Sequence, residues 1–240
     1  MSWLIAEFHI PNLFSFKKIK ASNTSAKTLL IPTPFAVKTA IVASAINHTG
    51  NVKKGKEMFE IVKNLEIRFK PPKKAIINQN QRSITSIRGK GSKKEGNKRY
   101  EYNSKPAFKE YVKFSEENFK IAFELNEELE KEENKEFFLK FLRKVTHLGG
   151  GESFVQFMNY EITEKLDDNY SKKLEDFDDL TKVYDRLKQP LEDVGNDTFE
   201  GLSIHNSNIK QKRERKNQAQ FLPLVESRAN SQSQFYSFYR

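Results

Sequence analysis

Along most of the chain, apolar residues recur at one of two periods. From Trp3 to Ile10 they alternate with polar ones, and Leu4, Ala6, Phe8 and Ile10 share one side, which predicts a half-buried strand. Thr33-Pro34 opens a helix, with a hydroxyl cap followed by proline at the first helical position. Val37, Ala40, Ile41, Ser44 and Ala45 share its face, and Gly50 stops it. Met58, Ile61, Val62 and Leu65 keep helical spacing and predict a second, short helix. Alternation returns at Leu65, Ile67 and Phe69 against Glu66, Arg68 and Lys70. Pro71-Pro72 interrupts that strand, and Ala75-Ile76-Ile77 resumes it. Phe108 to Phe114 and Phe119 to Leu125 read as strands on either side of a turn at 115–118. Glu127 to Val145 is the most strongly patterned helix. Acidic residues fill its first turns and Lys140, Arg143 and Lys144 its last, as the macrodipole favours; Phe138, Phe141, Leu142 and Val145 form its apolar stripe. Phe154 to Ile162 is a strand again.

Strand, helix, strand, strand, helix, strand is the order of a ferredoxin-like α+β unit. It closes at Ile162, so residues 1–162 are expected to form that domain and residues 163–240 a C-terminal extension. Within it, Gln79 to Lys105 is polar, glycine-bearing and basic, and reads as a surface loop that is disordered alone or orders on a nucleic acid. The extension begins with an acidic stretch (Asp167, Asp168, Glu175, Asp176, Asp178, Asp179), expected to be helical through Leu187 and stopped by Pro190. A basic run at Lys210, Lys212, Arg213, Arg215 and Lys216 precedes the apolar Phe221 to Val225, and the aromatic stretch Phe235 to Arg240 reads as an edge strand. Such charge runs are expected to be solvated faces.

Composition narrows the partner. A chain of 240 residues buries a real core, and its net charge of +10 favours a polyanion, nucleic acid before an anionic membrane surface. The absence of cysteine excludes disulfides and thiolate chemistry. Met1 to Ile10 lacks the basic start of a signal peptide. The most apolar run, Leu29 to Ile46, is interrupted by Pro32, Pro34 and Lys38 and is too short to span a bilayer, so a soluble, cytoplasmic protein is expected. Lys53 to Lys113 is heavily basic and Glu116 to Asp193 carries most of the acid, which points to one polyanion-facing side and another facing protein or solvent. Phe14, Phe16, Tyr100 and Tyr102, interleaved with basic residues, are candidates for stacking single-stranded bases.

Most catalytic and cofactor motifs fail on inspection. Gly50 to Lys56 has the spacing of a phosphate-binding nucleotide loop, but Glu57 stands where a magnesium-holding Ser or Thr belongs, and the stretch follows a helix rather than a strand. Gly89-Lys90-Gly91 lacks the third glycine of a dinucleotide fold. His9, His48, His147 and His205 form no pair at metal-ligand spacing, so neither metal nor cofactor is expected, and no Gly-x-Ser-x-Gly elbow occurs. His147, with Tyr100, Tyr102 or Tyr111, is the leading catalytic candidate, as an acid or base on RNA, and His9 on the first strand a weaker one. His147 opens the stretch His147-Leu148-Gly149-Gly150-Gly151-Glu152-Ser153-Phe154, whose three glycines suit an anion-binding loop about as well as a plain helix stop.

The first strand, the Pro32-Thr33-Pro34 helix entry with Lys38, and the Gly149-Gly150-Gly151-Glu152-Ser153 element together resemble the RAMP superfamily of CRISPR-associated proteins, and within it the Cas-five subunit of type I Cascade. The resemblance covers roughly residues 1–162. It implies a subunit that grips the 5′ handle of the CRISPR RNA (crRNA) on its ferredoxin-like core, caps the backbone filament beside the large subunit and supports target DNA interference. A hairpin called the thumb is expected at residues 79–105. The RNA-binding set implied is Lys17, Lys18, Lys20 and Lys38, then Arg82, Arg88, Lys90, Lys93, Lys94, Lys98 and Arg99, then Gly149, Gly150, Gly151 and Ser153. Binding without catalysis is the preferred reading. A metal-independent endoribonuclease processing the precursor RNA, and a basic protein-interaction scaffold, are the alternatives.

Overall fold

The structure is a computed structural model and describes residues 2–18, 25–90, 99–115, 118–149, 153–195, 198–202 and 215–239, with the backbone alone at 17, 25–26, 82–90, 99–107 and 201. It is a mixed α/β protein built on antiparallel sheets. Strand β1 (Trp3–His9) is followed by short strands β2 (Phe16–Lys17), β3 (Ser25–Ala26) and β4 (Thr28–Leu29), then helices α1 (Pro34–Thr49) and α2 (Val52–Val62). Next come β5 (Ile67–Lys70), β6 (Lys74–Lys90), β7 (Arg99–Phe114) and β8 (Phe119–Glu124), helices α3 (Glu127–Glu130) and α4 (Glu132–Leu142), and β9 (Gln156–Thr163). The last strands are β10 (Arg186–Asp193), β11 (Lys216–Pro223), β12 (Glu226–Ala229) and β13 (Ser233–Ser237).

The central sheet runs β5-β8-β1-β9, and every neighbouring pair is antiparallel. Leu4, Ala6 and Phe8 of β1 and Ile121 and Phe123 of β8 are buried on the side where α1, α2 and α4 pack. Helix α1 begins as its sequence requires. The Thr33 hydroxyl accepts the Ala36 N–H at 3.1 Å, Pro34 opens the first turn, and Gly50 closes the helix at φ 62°.

The expected helix from Glu127 to Val145 is two helices, broken at Lys131, whose ψ of 122° is extended. The core explains the break. Leu129 and Phe138 are both fully buried, yet nine residues of unbroken helix would put them about 180° apart. The break turns both inward, and the Asn126 side chain caps the short α3 by accepting the Leu129 N–H at 3.0 Å.

The polar stretch 79–105 is not a loop where it is described. Strands β6 and β7 pair in unbroken register from Ala75↔Phe114 to Lys90↔Arg99. This hairpin belongs to a second sheet, β12-β13-β6-β7-β3, but β13 flanks β6 only at 74–78 and β3 flanks β7 only at 108–109. Past Arg82↔Ala107 the described hairpin is a bare two-stranded ribbon, roughly 26 Å long at 3.3 Å per residue. The aromatic strand β13 lies between β12 and β6 rather than at an edge, which corrects the expectation of an edge strand.

The acidic stretch expected to be helical holds only two short 3-10 turns, Leu174–Asp176 and Leu180–Val183. Its carboxylates divert the backbone. Asp167, Asp176 and Asp179 accept the N–H groups of Asn169, Lys173 and Thr181 at 2.8, 2.7 and 2.9 Å, bonds that compete with a helical ladder. Pro190 does not end a helix; it sits in β10 opposite Ala219, in a two-stranded sheet where a missing N–H is tolerated. Residues beyond 162 also complete the same core: Leu191, Val194, Leu222 and Phe238 are buried in it with β1 and α1.

Candidate nucleic-acid interface

The glycine stretch starts a tight return of the chain. Val155 N–H donates to Thr146 O at 2.9 Å and Leu148 N–H to Ser153 O at 3.0 Å, with His147 and Phe154 bridged between them. Helix α4 has already ended at Leu142, so the turn is not a helix stop. Gly149 is exposed at φ 82°, and a Cβ there would lie 3.3 Å from the Phe16 ring. Gly150 and Gly151, expected to bind RNA, lie outside the described residues.

This turn is tied to the basic connection after β1. Ser153 is buried, and its hydroxyl accepts the Ser15 N–H and donates to the Ser15 carbonyl, both at 3.4 Å. Phe14 packs 4.8 Å from Phe16 and 4.9 Å from Phe114, and exchanges backbone bonds with Val112 at 3.0 and 2.8 Å. Thr28 N–H donates to the Glu110 carboxylate at 2.9 Å. Connection, glycine turn and hairpin root therefore meet at one place. Lys18 N–H bonds the Lys27 carbonyl at 2.8 Å across this connection, leaving Lys18 half-exposed and Lys27 exposed. Lys17 lies in β2 opposite Thr28, and Lys20 is outside the described residues.

Several expected site residues stand elsewhere. Lys38 is not on a surface that a phosphate reaches. It is 1% exposed, its ammonium 2.8 Å from the Asp193 carboxylate and 3.0 Å from the Lys63 carbonyl, and burial pulls its pKa below the ordinary lysine value. Phe14 and Phe16 are core residues, buried by the packing just described, and are closed to nucleobases. Tyr111 is also buried, which removes it as a partner for His147. His147 itself is half-buried, its Nδ1 2.8 Å from the Thr146 hydroxyl and its ring 4.3 Å from that of Phe154. Ser153, as described, spends its hydroxyl on Ser15.

The hairpin holds Arg82, Arg88, Lys90 and Arg99, whereas Lys93, Lys94 and Lys98 are outside the described residues. The pairing sorts the ribbon by face. Arg82, Arg88, Lys90, Arg99 and Lys105 share one face with a single carboxylate, Glu101. The opposite face carries no charge and includes Ile87, Tyr100 and Tyr102; it continues the side on which Ala75, Ile77 and Val112 are buried. Lys105 was missed in the sequence; counting alternate positions along both strands would have found it. Lys90 stands directly opposite Arg99 in the register.

The face of the central sheet away from the helices is partly closed. Tyr170 and Leu166 pack on Ile5, Ala122 and Trp3, and burial pushes the Tyr170 phenol well above its ordinary pKa. Nothing in the alternation of β1 or β8 signals this cover, because it comes from an acidic stretch far along the chain. Among the described residues no three metal-ligating side chains gather, and no helix is long and apolar enough to cross a membrane.

No family model matches the chain. Over 78 residues it is 37% identical to the CRISPR-associated protein Cas5 of Archaeoglobus fulgidus. Over that stretch the chain is similar to a Cas5 protein. The match covers 32% of this chain and 34% of that Cas5, so the likeness spans about a third of each. Among solved structures, the whole chain aligns with 93% of a CRISPR protein from Archaeoglobus fulgidus, at 15% identity and a TM-score of 0.42. A second alignment, 11% identical with a TM-score of 0.36, covers 98% of this chain and 86% of a chain in a type III-B Cmr-β complex bound to cognate target RNA and AMPPnP. Both are distant likenesses.

Proposed function

We propose that the chain is a CRISPR-associated RNA-binding subunit that holds the 5′ handle of a crRNA against its projecting hairpin. The observation that carries this reading is the sorting of the ribbon: its cations fall on one face and its tyrosines on the other. An isolated two-stranded ribbon is marginal in water, so one whose cations fall on one face gains most from a polyanion laid along it. Phosphates follow the Arg82, Arg88, Lys90, Arg99 and Lys105 face and position the strand. Bases turned out of a single strand, or the apolar surface of a neighbouring subunit, meet Ile87, Tyr100 and Tyr102. At the root of the ribbon, Lys18, Lys27 and the exposed Gly149 extend the same surface, and the reading assigns Lys17, Lys20, Gly150 and Gly151 to RNA binding as well.

The Cas5 likeness supports the class of complex, and the central sheet supports the scaffold. The order β5-β8-β1-β9, with helices between β1 and β5 and between β8 and β9, supports reading it as a ferredoxin-like βαββαβ unit. In this reading the protein is a cytoplasmic Cascade subunit of type I, capping the backbone filament beside the large subunit and acting by binding, not by cutting.

Filter binding of a short handle RNA tests the reading. Affinity should fall with salt, and Arg88→Glu with Lys90→Glu should reduce the slope of log K against log salt by about 1.4, at 0.7 per single-strand phosphate. Affinity and slope unchanged in that variant overturn the reading. Cleavage of repeat RNA in EDTA that is lost in His147→Ala would favour the endoribonuclease instead.

A further inference from the structure

The two edges of the central sheet are finished differently. The β5 edge is sealed by the chain itself. Ser171 N–H donates to the Phe69 carbonyl at 2.8 Å, Phe69 N–H to the Ser171 hydroxyl at 2.9 Å, and the Gln220 amide to the Ile67 carbonyl at 2.9 Å. The β9 edge pairs only with β1, and among the described residues nothing covers its outer backbone groups. It also lacks the charges that normally guard such an edge, since Gln156–Thr163 holds one charged residue, Glu161, and no lysine or proline. Its single irregularity is at Met158, skipped in the register between Phe8↔Phe157 and Glu7↔Asn159. Phe154, Met158 and Ile162 are 46%, 50% and 51% exposed along this segment.

A groove of about 520 Å³ runs between α4 and this edge, lined by Leu139 and Tyr160, by the cations Lys135, Lys140, Arg143 and Lys144, and by the carboxylates Glu132 and Glu136. The Arg143 guanidinium lies over the Tyr160 ring, 5.5 Å from its centre. At the far end Lys135 is held by Glu132 at 2.6 Å, but among the described residues Lys140, Arg143 and Lys144 reach no carboxylate. With Lys135 and Glu132 paired, the groove sets Lys140, Arg143 and Lys144 against the one carboxylate of Glu136, a net positive charge beside unpaired backbone hydrogen-bonding groups.

We infer that β9 is a docking strand for an extended, acidic segment of a partner protein. The segment adds to the sheet beside β9, pairs backbone to backbone, and lays its carboxylates over Lys140, Arg143 and Lys144 while Met158 and Ile162 take its apolar side chains. Charge complementarity selects this occupant. A second copy of the chain would bring the same three cations against these. An RNA strand would satisfy the cations but offers no alternating N–H and C=O groups to match the edge. The inference does not depend on RNA being held at the hairpin.

Amide hydrogen exchange of the full chain, followed by NMR, tests it with two model peptides, one alternating valine with glutamate and one alternating valine with lysine. The Val–Glu peptide should slow exchange at alternate amides of 156–163 by about tenfold, equivalent to 1.4 kcal/mol, and the Val–Lys peptide should not. Met158→Lys should abolish the protection without lowering Tm, because the side chain is half-exposed. Arg143→Glu should reverse the preference between peptides. Equal protection by both peptides, or none by either, overturns the inference. Protection of 156–163 by handle RNA gives the edge to RNA. Sedimentation showing a dimer that Met158→Lys dissociates gives it to a second copy. Either result also ends the inference.

Discussion

Lys38, in the middle of α1, and Asp193, at the end of β10, form an ion pair 2.8 Å long with the lysine almost wholly out of water. The pair fastens the C-terminal strands to the helical layer. A second cluster ties β5 to the 3-10 turn at Leu174–Asp176: Arg68 is ion-paired with Glu66 and Asp176, each at 2.8 Å, and Lys173 also reaches Glu66. Removing one member of a buried pair strands the other, which typically costs 3–5 kcal/mol, whereas removing both is close to neutral.

Lys38→Met is therefore expected to lower stability by about 3 kcal/mol, and Lys38→Met with Asp193→Asn to recover most of it. Urea unfolding measures both. Handle-RNA affinity of the double variant should equal that of the unaltered chain, since neither residue faces the RNA surface.

Gly149→Ala should destabilise by about 1–2 kcal/mol, because φ of 82° is costly for any residue with a Cβ, and this one would crowd Phe16. Thermal melts check the loss. RNA affinity at a temperature where the variant is folded then separates strain from contact.

Excising 83–106 and joining Arg82 to Ala107 through Asn-Gly respects the register of the hairpin. The body should melt within a few degrees of the full chain, and handle binding should lose most of its salt dependence. A collapse of Tm would place the ribbon in the folding core.

Tyr170 titrates late because burial favours its neutral phenol. Its contribution to stability is complete below the ordinary value of 10.0 and is lost as pH rises beyond it toward the raised folded value. Ultraviolet titration should show this ionisation delayed in the folded chain, and Tyr170→Phe should remove the alkaline loss. Tyr170→Ala should cost about 3 kcal/mol and uncover Ile5 and Ala122.

What could be read from the sequence was what local chemistry determines. Thr33, Pro34 and Gly50 bound α1 through contacts within one turn, and alternation marked β1, β5 and β8. The break at Lys131 was hidden, because helical periodicity in Glu127 to Val145 does not reveal that Leu129 and Phe138 share one core. The last third was misread for a related reason. Pro190 and the aromatic residues of β13 take their places from strands far away in sequence, which no short window contains. Among site residues, Lys38 shows the limit most clearly: charge in a sequence suggests a surface, and only the fold reveals Asp193 waiting inside.

The placement of β13 also bears on how the molecule is made. It slots beside β6 some 160 residues after β6 has left the ribosome, and until then the root of the hairpin lacks one flank. A nascent chain thus carries a basic, half-finished ribbon until β13 emerges, attractive to any nearby nucleic acid before its body has closed.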